Sequence, residues 1–237
     1  IRLNLFSSIF DFSRRTPMPL QTDLPIHSLR DDLKRCISEQ NRLVLHAPTG
    51  SGKSTQVPQF LLDDAGAAEG QIVVLQPRRV AARMLARFVA QQRGTPLGTE
   101  VGYQVRFENK SRAETRIKFE TDGILLRQSL LDPDLSHVSV VLFDEFHERH
   151  LYGDVLLSRV KLLQETTRPD LKIVVMSATL EAQLLPAFLA PCASLHAEGR
   201  LFPVEIEYLP QNLRTRTADP WTLAVEAFET SLPPNGG

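Results

Sequence analysis

Leu43-Val44-Leu45 runs almost directly into Ala47-Pro48-Thr49-Gly50-Ser51-Gly52-Lys53-Ser54-Thr55, and Val57-Pro58-Gln59-Phe60-Leu61-Leu62 follows at once. The first run reads as a buried strand, and residues 54–62 continue as a helix. A glycine loop between strand and helix, with Lys-Ser at the helix start, constrains the chain more than any other stretch. The loop must turn its N–H groups inward, where they suit phosphate oxygens. Gly50 and Gly52 permit the backbone conformations that such a turn needs. Lys53 would then set an ammonium on the β- and γ-phosphates of a nucleotide, and Ser54 would offer its hydroxyl to Mg²⁺. The plain alternative, a surface Gly/Ser turn with a solvated lysine, is disfavoured by the strand and the helix on either side.

Apolar periodicity extends the pattern. Residues 25–40 read as a helix with Leu29, Leu33 and Ile37 on one face. Strands are expected at 72–75, 101–105, 117–120, 138–143 and 173–176, with a polar turn at Asn109-Lys110-Ser111. Helices are expected at 80–92, 122–131, 151–164 and 181–189. Strands apolar on both faces, alternating with helices, imply an α/β fold: a parallel sheet covered by helices on both faces. Chemistry then gathers at the carboxyl ends of the strands. Beyond Gly199 the pattern thins to a strand at 201–208 and a helix at 219–231. The expected organisation is an N-terminal extension over 1–24, a principal domain over 25–200, and a linker with the incomplete start of a second domain over 201–237. Met18 is expected to be the natural start, with residues 1–17 an added or upstream extension.

Net charge is −1, so whole-molecule charge makes no case for nucleic acid, but its distribution does. Residues 70–99 hold five arginines (Arg78, Arg79, Arg83, Arg87, Arg93) and no acid, and residues 101–119 hold five basic side chains against Glu108 and Glu114. One basic face on a neutral protein can bind phosphates locally, although a solvated helix face is the usual role of scattered arginines. Cys36 and Cys192 are the only cysteines and lack metal-ligand spacing, which fits a reducing, cytoplasmic compartment. No run approaches the roughly 18 apolar residues that cross a membrane.

Asp144-Glu145-Phe146-His147 stands directly after Val140-Val141-Leu142-Phe143. An Asp at the tip of a buried strand beside a phosphate loop is placed to hold Mg²⁺. Glu145 would then face the γ-phosphate and orient or deprotonate the attacking water. The structural alternative is an acidic cap for the helix that follows.

From these residues on, the chain resembles a known family. Ala47 to Thr55 resembles the loop of P-loop NTPases, with Ala47 where the strict pattern begins with Gly, a form that helicase-type loops tolerate. Asp-Glu-x-His resembles the DEAH-box signature of superfamily 2 helicases. Gln76-Pro77-Arg78-Arg79-Val80-Ala81-Ala82 resembles motif Ia, and Val101-Gly102-Tyr103-Gln104-Val105-Arg106-Phe107-Glu108 resembles the segment between Ia and Ib. Thr121-Asp122-Gly123-Ile124-Leu125 resembles motif Ib, and Ser177-Ala178-Thr179 resembles motif III. Order and approximate spacing match over residues 25–209. Phe146 departs from the Ala of most DEAH proteins. Asp-Glu-Phe-His-Glu-Arg is similar to bacterial HrpB-type helicases of the DEAH/RHA family, the form this chain resembles most.

The resemblance implies a RecA-like sheet and an ATP-dependent nucleic-acid helicase using ATP and Mg²⁺. It implies that Thr49, Gly50, Ser51, Gly52, Lys53, Ser54 and Thr55 bind ATP and that Ser54 and Asp144 hold the metal. Glu145, Lys53, Asp144 and His147 form the implied catalytic set. His147, Ser177 and Thr179 would couple the nucleotide site to nucleic acid and to a second domain. Arg78, Arg106, Thr121 and Gly123 would face single-stranded nucleic acid, RNA being favoured over DNA. Such groups grip phosphates without reading bases; for the two arginines, ion pairing or helix capping is the alternative. Phe88 stands where family members often carry an adenine-stacking Arg. The family also needs a second RecA-like domain that supplies arginine fingers, typically from Gln-Arg-x-Gly-Arg-x-Gly-Arg, and no such run occurs in the 237 residues. Gly199 to Glu205 resembles the passage toward that domain. Arginine fingers are worth about 10³–10⁵ in rate, so very weak turnover is expected of this chain alone. The competing expectation is a nucleotide-binding interaction or switch module without useful catalysis. A metabolic P-loop kinase is disfavoured by the Ia, Ib and III set.

Overall fold

The computed structural model describes residues 24–64, 70–178, 184–198, 208 and 219–231. Among the described residues eight strands make one sheet: β1 (Arg42–His46), β2 (Gln71–Leu75), β3 (Val101–Val105), β4 (Glu108–Lys110), β5 (Ile117–Glu120), β6 (Val138–Phe143), β7 (Lys172–Ser177) and β8 (Ala193–His196). Their order is β4-β3-β5-β2-β6-β7-β1-β8. Every pairing is parallel except β3 with β4. The described helices are α1 (Arg30–Glu39), α2 (Lys53–Asp64), α3 (Arg79–Gln92), α4 (Asp122–Leu131), α5 (Leu151–Thr166), α6 (Leu184–Phe188) and α7 (Pro220–Ser231).

The central strands are buried on both faces, and their alternate side chains feed two cores. Leu43, Leu45, Ile72, Val74, Val174 and Met176 pack against Leu33 and Ile37 of α1, Val57 and Leu61 of α2, and Ala82 and Ala86 of α3. Val44, Val73, Leu75, Val141, Phe143, Ile173 and Val175 pack on the other side against Leu125 of α4 and Leu156 and Val160 of α5. Coverage of both faces removes the polar half of a strand's alternation, so these strands read as unbroken apolar runs. The expected parallel sheet with helices on both faces is therefore what the chain forms.

Several expectations change in detail. The apolar pattern predicts one helix over 25–40, but Pro25–Leu29 is a 3-10 turn and α1 starts only at Arg30. The turn instead braces the glycine loop: the Ile26 N–H donates to the Ser51 carbonyl at 3.2 Å. Composition predicts a turn at Asn109-Lys110-Ser111, yet Glu108–Lys110 is an edge strand and the reversal falls at Arg106-Phe107, where Phe107 has φ 70°. Polar residues on an exposed edge strand need no apolar pattern, which is why β4 is silent in the sequence. β8 is likewise a short, partly exposed edge strand, recognisable only through its register with β1. Ser177 closes β7 and is buried. Thr179, the first residues of the 181–189 helix, residues 1–23 (with Met18), and the 201–208 strand except Tyr208 lie outside the described residues.

The chain divides into two units at Arg200/Leu201. In the second, α7 exposes Trp221, Val225 and Phe228. Among the described residues no helix is long and apolar enough to cross a membrane. Cys36 and Cys192 are free thiols, and burial pushes both up.

Candidate functional site

Parallel strands end on a common edge, so the loops after β1, β2, β5, β6 and β7 gather there. In the loop after β1, Gly50 has φ +80° and Gly52 φ +92°. A Cβ on Gly52 would lie 2.8 Å from Leu24 Cδ1 and 3.2 Å from Ile26 Cγ2, so the 24–26 segment that braces the loop also demands glycine there. The loop closes on itself through the Ser51 N–H, which donates to the Pro48 carbonyl at 3.2 Å. α2 starts at Lys53, and its first N–H groups form a partial positive end at the loop.

Lys53 is buried, and its ammonium lies 3.1 Å from Glu145 Oε1. Asp144, at the tip of β6, is buried beside it. Its carboxylate is hydrogen-bonded by the Ser54 hydroxyl, by Gln76 Nε2 at 2.5 Å, and by the Glu145 N–H at 2.9 Å. Burial pushes the Asp144 carboxyl up, while Ser54, Gln76 and the nearby Lys53 charge pull it down. Gln76 follows β2, and its N–H donates to the Glu120 carbonyl at the end of β5. Within its motif, Gln76 is not marked by the sequence as a site residue. Its signal is a polar amide at the tip of an otherwise apolar strand.

Glu145 adopts φ 49° and ψ 37°, a left-handed conformation that costs roughly 1–2 kcal/mol without glycine. That geometry leads into a 3-10 turn, Phe146–Glu148. His147 Nε2 lies 3.4 Å from Glu145 Oε2, and His147 Nδ1 accepts the Ala178 N–H at 3.4 Å. An accepting Nδ1 places the ring proton on Nε2, facing Glu145. The Ser177 carbonyl accepts the Ala47 N–H at 3.0 Å. Residues 47–55, 144–147 and 177–178 thus meet at one corner of the sheet.

A second feature lies along the same edge. An open groove of about 680 Å³ is lined in part by Arg79, Arg106, Thr121, Gly123, Arg127 and Tyr152. Arg106, Thr121 and Gly123 all line it. Arg78 is not in the lining; its Nη2 lies 2.9 Å from Glu148 Oε1. Phe107, beside Arg106 and 4.7 Å under its guanidinium, is 90% exposed. Arg127 and Tyr152 carry no motif signal, because helix periodicity does not say which face meets a groove. Much of the basic run is occupied elsewhere: Arg93 bridges Asp63 and Glu100, and Arg83 pairs with Glu108.

A glycine loop on a covered parallel sheet, with a lysine and an aspartate converging from two strand tips, defines a P-loop nucleotide-binding domain. The DEAD/DEAH box helicase family matches residues 31–185, and the chain belongs to that family. It is 44% identical over 194 residues to the probable ATP-dependent RNA helicase DHR2 of Saccharomyces cerevisiae, covering 81% of this chain and 26% of that protein. It is 44% identical over 198 residues to the probable ATP-dependent RNA helicase DHX35 of Homo sapiens, covering 78% and 28%. It is 41% identical over 206 residues to the pre-mRNA-splicing factor ATP-dependent RNA helicase prp22 of Schizosaccharomyces pombe, covering 84% and 17%. Among solved structures it resembles the Escherichia coli DEAH/RHA helicase HrpB, with a TM-score of 0.80 and 38% identity over 88% of this chain and 27% of that one. The sheet is therefore the RecA-like one that the motifs imply. The chain spans about a quarter or less of the length of these relatives.

Proposed function

We propose that the chain is the ATP-binding half of an ATP-dependent DEAH-type helicase that holds single-stranded nucleic acid, RNA in preference to DNA, by its backbone. The observation that carries this reading is the corner where Lys53, Ser54, Asp144, Glu145 and His147 meet. Nucleotide phosphates would take the loop N–H groups of residues 49–55 and would replace Glu145 as the partner of Lys53. Mg²⁺ fits the donor set: the Ser54 hydroxyl already touches the Asp144 carboxylate, and Ser51 Oγ, buried in the same loop, has no partner among the described residues. When bound, the metal would neutralise charge on the β- and γ-phosphates. Glu145, released from Lys53, would accept a proton from the water aimed at the γ-phosphate. His147 would hold Glu145 through Nε2–H and tie its position to Ala178 and the 177–179 segment.

In the groove, Arg106, Thr121 and Gly123, with Arg79, Arg127 and Tyr152, would hold a strand without reading its bases. Affinity for oligouridylate should then fall with salt, with a log–log slope of about −0.7 per phosphate neutralised. A slope near zero would remove the groove from phosphate recognition. RNA is preferred because the relatives bear the name RNA helicase. A second RecA-like half of the same polypeptide, approached through the linker and incomplete start proposed over 201–237, would be the partner that completes hydrolysis. Two free thiols suit a reducing, cytoplasmic setting.

Lys53→Ala tests the nucleotide corner. Loss of a buried ammonium from a charge-assisted phosphate contact should weaken binding of a fluorescent ATP analogue by about 30-fold or more. Oligouridylate binding should stay within about twofold, because Lys53 does not line the groove. Unchanged nucleotide affinity would refute the assignment.

A further inference from the structure

Glu148 lies at the end of the 3-10 turn that begins after Glu145, and its N–H donates to the Glu145 carbonyl at 2.9 Å. The turn is bounded by two non-glycine residues at positive φ, Glu145 at 49° and Arg149 at 36°. Such conformations persist only where the surroundings hold them, and they mark segments able to take a second arrangement.

The Glu148 carboxylate reaches the rim of the groove. Its Oε1 lies 2.9 Å from Arg78 Nη2, and its Oε2 lies 3.6 Å from His150 Nε2. His150 and Arg79, the neighbour of Arg78, both line the groove. His150 and Asp122 also line a small cavity whose other walls include Asp144 and Glu145. One side chain therefore touches Arg78 and the groove-lining His150 while its backbone is bonded to the residue that holds Lys53. Arg78 is 73% exposed, and an exposed pair of this kind contributes little stability. A phosphodiester offers an arginine the same two-oxygen face as a carboxylate, so an arriving phosphate competes with Glu148 on near-equal terms.

We propose that Glu148 is a positioning residue that stands in for a strand phosphate. Paired with Arg78, it keeps the 145–149 turn in the conformation that places Glu145 on Lys53. A backbone phosphate that takes Arg78 releases Glu148, and the turn can then move Glu145. The inference rests on the nucleic-acid reading above and deepens it by naming how the groove reports to the nucleotide corner.

Glu148→Gln removes the charge at constant size. The 237-residue variant should bind fluorescein-labelled oligouridylate about two- to fivefold more tightly than the parent chain, since the internal competitor is gone. In an Arg78→Ala background the same substitution should give no gain. Oligouridylate should also change the affinity of the parent for a Mg²⁺-bound fluorescent ATP analogue, and change it less in Glu148→Gln. Parent-like binding by Glu148→Gln, a gain that survives Arg78→Ala, or equal coupling in both proteins would overturn the proposal and leave the nucleic-acid reading standing. A parent chain that fails to bind oligouridylate at low salt would overturn both.

Discussion

Glu145→Gln is expected to bind Mg²⁺-ATP at least as tightly as the parent chain and to hydrolyse it about 10²–10⁴-fold more slowly. The carboxamide keeps the size and hydrogen-bonding reach of the side chain but cannot accept the proton of the attacking water. Affinity should hold or rise, because Glu145 is the anion that Lys53 must leave before it can reach phosphate. Single-turnover hydrolysis and equilibrium binding separate the two effects, and both should be measured with a second RecA-like half and RNA supplied. Hydrolysis within about tenfold of the parent would take Glu145 out of the chemistry. A parent that binds ATP yet shows no hydrolysis under those conditions would favour the interaction or switch module.

Lys118→Met is expected to destabilise the fold by about 3–5 kcal/mol at neutral pH. Lys118 and Glu120 are both buried, 3.0 Å apart at the end of β5. Gln128 Nε2 donates to the same Glu120 oxygen, Oε2, at 3.1 Å, and Glu120 Oε1 has no partner among the described residues. Removing the ammonium leaves a buried carboxylate nearly uncompensated. Burial already pushes the Glu120 carboxyl above its ordinary range, with Lys118 and Gln128 pulling it back, so the variant should push it further. The folded state then holds a proton that the unfolded chain releases. Stability is accordingly retained at acidic pH and lost as pH rises through the folded value. Urea unfolding should show a larger loss near about pH 8 than near about pH 5, and Lys118→Met with Glu120→Gln should recover most of it. Equal losses at both pH values would refute the account. The pair also matters to the groove, because Thr121 follows Glu120 directly, Gly123 lies three residues on, and the Glu120 carbonyl accepts the Gln76 N–H.

The two edge strands show why part of the fold is not legible in the residues. β4 is Glu-Asn-Lys and β8 is Ala-Ser-Leu-His, short segments whose strand character comes from hydrogen bonds to β3 and β1. Central strands declare themselves because burial on both faces demands apolar side chains. Edge strands carry no such demand. The groove follows the same logic. Arg106, Thr121 and Gly123 were legible by motif, whereas Arg127 and Tyr152 join them only through the way α4 and α5 pack.

Consecutive residues by themselves determined the glycine loop between strand and helix, the covered parallel sheet and the placement of Asp144 at a strand tip. Each follows from local requirements: positive φ at Gly50 and Gly52, a helix start at Lys53, and apolar runs of strand length. Tertiary structure alone decided which distant groups touch. Gln76 meets Asp144 across 68 positions, and Arg78 meets Glu148 across 70. Those meetings depend on strand order and on a left-handed Glu145, and both are set by the packing of the whole sheet, which no local pattern encodes.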